Sequence, residues 1–80
     1  MSKGIKILIV EDDENLRFLV AHRLKAEGYE ILEVGDGEAA KHTILSEKPD
    51  IVLMDWMLPG KQGADVCEEV RRMGFDKLII

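Results

Sequence analysis

Cysteine is almost missing from this chain. Cys67 is the single thiol among 80 residues, so no internal disulfide and no cysteine zinc centre can be built. Positive charge is also scarce. Lysine and arginine number 11 against 16 acidic residues, a formal net charge of -5. That balance argues against direct nucleic-acid binding, because phosphates call for a basic patch. No apolar run approaches the ~18 residues that span a membrane. The opening Met1-Ser2-Lys3-Gly4 lacks the apolar core of a leader peptide. No internal repeat, low-complexity segment or linker is found. One small domain remains, near the lower size limit for a stable core and suited to a reducing, cytoplasmic setting.

Against these absences stands a regular alternation of two patterns. Ile5 to Val10 is a β-branched run and reads as a strand. Asp13 is placed to cap a helix, along which Leu16, Leu19, Val20 and Leu24 form one apolar stripe up to Gly28. Tyr29 to Val34 reads as a second strand. Glu30 and Glu33 interrupt it, which suits a sheet edge. Gly35-Asp36-Gly37 reads as a turn, and 38–47 as a helix with Ala39, Ala40, Ile44 and Leu45 available for burial. Lys48-Pro49 closes it.

Ile51 to Met54 is four apolar residues in a row and reads as a strand buried on both faces. After a loop through Gly63, a helix over 64–73 turns Val66, Cys67, Val70 and Met73 inward. Residues 76–80 read as a fourth strand. Strict strand–helix alternation predicts an α/β fold with a parallel, right-handed sheet. The most apolar strands belong in the middle, which gives the order 2-1-3-4.

This order puts the ends of the first and third strands about 4.8 Å apart. The first stops at Glu11-Asp12-Asp13-Glu14 and the third at Asp55. Glu11, Asp12 and Asp55 then converge where open α/β sheets place their ligands. Like charges about 4 Å apart repel by roughly 4 kcal/mol at an effective dielectric of 20. Such a cluster takes up a proton or a cation. Oxygen-only ligands favour a hard divalent ion, Mg²⁺ first. A carboxylate beside Mg²⁺ can also attack phosphorus. Asp13 and Glu14 are read as capping residues only.

The strings Ile9-Val10-Glu11-Asp12-Asp13-Glu14, Asp36-Gly37-Glu38-Ala39, Pro49-Asp50-Ile51-Val52-Leu53-Met54-Asp55 and Met57-Leu58-Pro59-Gly60-Lys61-Gln62-Gly63 together resemble a bacterial two-component response-regulator receiver domain. The resemblance covers essentially the whole chain. Asp55-Trp56-Met57-Leu58-Pro59-Gly60 is most similar to regulators with a winged-helix output domain. The resemblance implies a flavodoxin-like fold and phosphorylation of Asp55 by a histidine kinase. It implies Mg²⁺ held directly by Asp12 and Asp55, by Glu11 mainly through water, and by the backbone carbonyl of Met57.

The sequence departs from the family in length, spanning about two-thirds of a receiver's five-stranded unit. The family's switch Thr/Ser and its Lys have no counterpart, and neither Lys61 nor Lys77 stands at the matching place. Two expectations follow. The chain is a phosphoacceptor signalling module rather than a turnover enzyme. Alternatively, it is an engineered or excised receiver fragment that folds as a homo-oligomer, such as an element-swapped dimer, without phosphotransfer or switching. Self-association is expected because exposed large apolar side chains forfeit about 1.5–3 kcal/mol each.

A flavodoxin that binds flavin is disfavoured, since four acids after the first strand would repel its phosphate. A hydrolase with an aspartyl nucleophile lacks its usual second acid. Cys67 is read as core packing, and His22 and His42 as isolated surface residues.

Overall fold

Isoleucine, leucine and valine fill the run from Ile7 to Val10, and all four side chains are buried. A strand hidden on both faces belongs in the interior of a sheet. The computed structural model, which describes residues 4–80, places β1 (Lys6–Val10) between β2 (Glu30–Val34) and β3 (Ile51–Met54), with β4 (Leu78–Ile79) beyond β3. Every pairing is parallel and the order is 2-1-3-4, as the alternation predicts. The first three residues, read above as lacking a leader's core, lie outside the described residues. No described helix is long and apolar enough to cross a membrane.

Three helices connect the strands: α1 (Glu14–Ala26), α2 (Gly37–Glu47) and α3 (Gly63–Arg72). Local chemistry sets their starts. The Asp13 side chain accepts the Leu16 N–H at 3.0 Å, and the Asp36 side chain accepts the Ala39 N–H at 2.8 Å. Each satisfies an N–H that the first helical turn leaves unpaired. α2 ends on Lys48, a non-glycine residue in the left-handed region with φ 49°.

The core has two unequal halves. On one face of the sheet, Leu8, Val10 and Val52 pack against Ala40 and Ile44 of α2, Val66 and Val70 of α3, and the loop residues Leu58 and Phe75. On the other, Ile7 and Ile9 meet α1 through Ala21, with Val20, Leu24, Ile51 and Leu53 only partly buried. Two helices cover the first face and one covers the second.

That inequality corrects several expectations. Only Val52 of β3 is fully buried: Ile51 and Leu53 lie on the half-covered face, and Met54 packs only partly against the closed one. Leu16 and Leu19 of the expected stripe are 47% and 64% exposed. Ala21 makes the close approach instead. Met73 lies outside α3 and is exposed, while Phe75 turns inward in its place. Cys67 is half-buried.

The register of β3 against β1 is tied at its start. Asp50 donates its N–H to the Lys6 carbonyl at 2.8 Å and accepts the Lys6 N–H on Oδ2 at 2.8 Å.

Gly37, expected in a turn, is the buried first residue of α2. A Cβ there would strike the Lys61 carbonyl oxygen and lie 2.8 Å from the Lys61 Cβ. Gly37→Ala is therefore expected to lower stability by about 1–3 kcal/mol, as overpacking does, seen as a lower urea midpoint at unchanged slope.

Candidate functional site

β1 and β3 run side by side with Val10 opposite Met54, so the residues that follow leave the same edge of the sheet. Both are still held by the backbone ladder. The Asp55 N–H donates to the Val10 carbonyl at 3.0 Å, and the Glu11 N–H donates to the Val34 carbonyl at 3.1 Å. Asp12 follows Glu11 into solvent. The outcome is that Glu11, Asp12 and Asp55 each offer a carboxylate oxygen, all within 4.8 Å of one another. Glu11 and Asp55 are half-buried and Asp12 is exposed.

Neighbouring donors orient two of the three. The Met57 N–H donates to Asp55 Oδ1 at 3.0 Å, and the Asp13 N–H donates to Glu11 Oε2 at 3.0 Å. Arg17 donates from Nη1 to the Glu11 carbonyl at 2.8 Å while its Nε lies 3.6 Å from Glu33. This edge-strand glutamate also pairs with Lys25 at 3.6 Å. The Asp13 N–H, the largest single influence on Glu11, favours its ionised form. Burial and the adjacent Asp12 and Asp55 carboxylates together outweigh it and hold Glu11 above the ordinary 4.5.

The donor set is all carboxylate and carries unrelieved negative charge, so these residues fit a hard divalent cation bound through oxygen. An open groove of about 500 Å³ runs from Glu11 and Asp55 along Leu16, Val20, Leu53 and Ile80. Trp56 and Met57 project from the loop beside the acids, 58% and 77% exposed.

Gly63, the first residue of α3, lies directly beneath this loop. A Cβ on it would sit 2.8 Å from the Asp55 carbonyl oxygen and 3.0 Å from the Trp56 Cα, and its own N–H donates to the Trp56 carbonyl at 3.2 Å.

The histidines stay outside the cluster, as expected. His22 stacks on Phe18 with ring centroids 6.0 Å apart, and His42 lies 3.8 Å from Glu38 on the surface. What the sequence reading missed is Lys61. Its Nζ donates to Glu69 Oε2 at 2.7 Å and lies 3.5 Å from Glu38 Oε1. The other Glu69 oxygen accepts Lys41 Nζ at 3.0 Å. No periodic signal links residues on α2, a loop and α3.

Residues 7–80 match the family described as the response regulator receiver domain. Among solved structures, the chain is similar to the response regulator TrrA of Thermotoga maritima, at 37% identity and a TM-score of 0.87. The match covers 94% of this chain and 65% of TrrA, which was crystallised with Mg²⁺–BeF and, separately, with the histidine kinase ThkA. The BeF3-activated receiver domain of RstA from Klebsiella pneumoniae is 36% identical with a TM-score of 0.83, over 92% of this chain and 64% of that one. A signal receiver domain from Vibrio parahaemolyticus is 29% identical with a TM-score of 0.88, over 94% and 58%. The chain thus spans about three fifths of these relatives' length, 58% to 65%.

Glu11 has a raised carboxyl pKa in the folded state. Its contribution to stability is full below pH 4.5 and is lost as pH rises through the folded value. At pH 7 the ionised Glu11 carboxylate therefore opposes folding. Asp12→Asn is expected to raise metal-free stability at pH 7 by about 0.2–1 kcal/mol, the scale of exposed charge pairs. The gain should vanish near pH 4 in urea titrations.

Proposed function

The chain belongs to the response regulator receiver domains, and from that premise we propose that Asp55 is the phosphoacceptor of a two-component signalling module. Its Mg²⁺ would be held by Asp12 and Asp55, by Glu11 mainly through water, and by the backbone carbonyl of Met57. One observation carries this reading: three carboxylates from the ends of two adjacent strands meet within 4.8 Å. The cation, when bound, supplies positive charge against the phosphoryl oxygens.

The chain's own groups account for the rest. The Met57 N–H on Oδ1 fixes the plane of the Asp55 carboxylate. An Asp55 oxygen attacks the phosphorus of a phosphodonor. The bond from phosphorus to the leaving group breaks, that group keeps the electron pair, and Asp55 carries an acyl phosphate. The product stays on the chain, which makes the protein a phosphoacceptor and not a turnover enzyme.

The natural donor is a phosphohistidine on a histidine kinase, a partner class supported by the ThkA complex of TrrA. A net charge of -5 disfavours nucleic acid as a direct partner, and the single free thiol suits the cytoplasm.

A second reading concerns assembly. Leu16, Leu19 and Ile80 are 47%, 64% and 62% exposed along the face that α1 half covers. Burying such side chains is worth about 1.5–3 kcal/mol each. This favours homo-oligomers of the 80-residue chain, including an element-swapped dimer, in which a second copy covers that face.

Incubation with acetyl phosphate and Mg²⁺ is expected to add one phosphoryl group by intact mass, and Asp55→Asn to abolish the adduct. A folded protein that gains none would favour a receiver fold without phosphotransfer. Sedimentation at micromolar concentration should show a dimer or larger species. A well-folded monomer would sink the assembly reading.

A further inference from the structure

The loop between β3 and α3, residues 55–62, is long and irregular, yet it carries both Asp55 and Met57. Asp55 is fixed by its N–H on Val10. Leu58 is seated in the α2/α3 core at 3% exposure. Pro59 and Gly60 then swing out into solvent. The return of the loop is held at Lys61. Its backbone lies so near α2 that only glycine fits at position 37, and its ammonium enters a four-membered ion network. Glu69 of α3 is the hub, with one oxygen on Lys61 at 2.7 Å and the other on Lys41 of α2 at 3.0 Å. Glu38, also on α2, lies 3.5 Å from Lys61. The network holds two cations and two anions.

We propose that Lys61 and Glu69, braced by Lys41 and Glu38, clamp the β3–α3 loop to α2 and α3, and that they are positioning residues for the Met57 peptide at the acidic site. The inference rests on the reading of that site as a cation site.

Three features separate this network from an ordinary surface pair. The Lys61, Glu69 and Lys41 side chains are only 23%, 25% and 27% exposed. Both oxygens of Glu69 are engaged, so the carboxylate is fixed in orientation. The pairing also joins a loop to two helices, whereas Arg23–Glu27, His42–Glu38 and Arg72–Glu68 each link one helical turn to the next. Lys61 is held above its ordinary value by the Glu69 hydrogen bond, and Glu69 below its own by Lys61 and then Lys41.

Release of Lys61 frees the loop from its return anchor. The segment between Asp55 and Lys61 is then held only by Leu58, by Gln62 Nε2 on the Leu58 carbonyl at 3.3 Å and by the Gly63 N–H on the Trp56 carbonyl at 3.2 Å. The Met57 N–H on Asp55 Oδ1 and the adjoining carbonyl gain freedom together. An ångström of misplacement is enough to be felt by a bound group.

The test compares the full chain with Glu69→Gln, Lys61→Ala and Lys61→Arg. Amide exchange of residues 56–62 in metal-free protein, Mg²⁺ affinity by calorimetry and urea stability are measured on each. Glu69→Gln and Lys61→Ala should speed loop exchange by about tenfold while β1 amides keep their rates. They should raise the Mg²⁺ dissociation constant about 3- to 10-fold, below the roughly 10–100-fold seen when a direct partner of a ligand is removed. Lys61→Arg should restore both.

Loop exchange equal to the parent's would overturn the clamp. So would faster loop exchange with unchanged Mg²⁺ affinity, or β1 exchange rising in parallel. A parent chain that fails to bind Mg²⁺ would refute the reading of the acidic site. In that case loop exchange alone decides whether the clamp exists.

Discussion

Everything at this site depends on β1 and β3 lying next to each other, parallel, with their carboxyl ends level. Val10 stands opposite Met54, so the next residue on each strand must be a near neighbour of the other. Those residues are Glu11 and Asp55, both acids. The repulsion they create is a cost that the apolar interior carries, through Leu8, Val10 and Val52 packed against two helices on one face. The fold is the support, and the charge cluster is the strained object it presents. The Asp13 N–H favours ionised Glu11, but burial and the Asp12 and Asp55 carboxylates outweigh it and raise its pKa, in keeping with that repulsion. A bound cation would relieve it, and would then tie the stability of this domain to that ligand.

The two faces of the sheet divide the work. The face under α2 and α3 is closed and holds the larger buried cluster. The face under α1 is half open, and its groove runs into the acidic site past Leu16 and Leu53. Apolar surface on that side stays partly exposed, while the other side is committed to internal packing. The β3–α3 loop bridges the two regions. Its buried Leu58 belongs to the closed face, whereas Trp56 and Met57 face solvent beside the acids.

The sequence displayed some of this plainly and hid the rest for physical reasons. Strand order was readable because Ile5 to Val10 and Ile51 to Met54 are the most apolar runs, and Glu30 and Glu33 mark β2 as an edge. The three acids were readable because topology alone brings strand ends together. Caps at Asp13 and Gly28 were local and therefore visible. The exposure of Leu16 and Leu19 was not, since periodicity tells which residues share a helix face but not how much of that face is covered. Inward packing of Leu58 and Phe75 depends on loop paths that follow no period. Lys61 and Glu69 are eight residues apart and Lys41 and Glu69 twenty-eight apart. The need for glycine at 37 arises only when a distant loop arrives.

The reciprocal bonds between Asp50 and Lys6, at the opposite end of the strands from the acids, act as a ruler. They index β3 to β1 before the first side chain of β3 is placed. A slip of one residue would carry Val52 from the closed face to the open one and leave the two strand-end acids staggered by about 3.3 Å along the sheet. An aspartate with no part in the site's chemistry thereby fixes the spacing on which that chemistry relies. The geometry of the charged edge is gauged from the far side of the molecule.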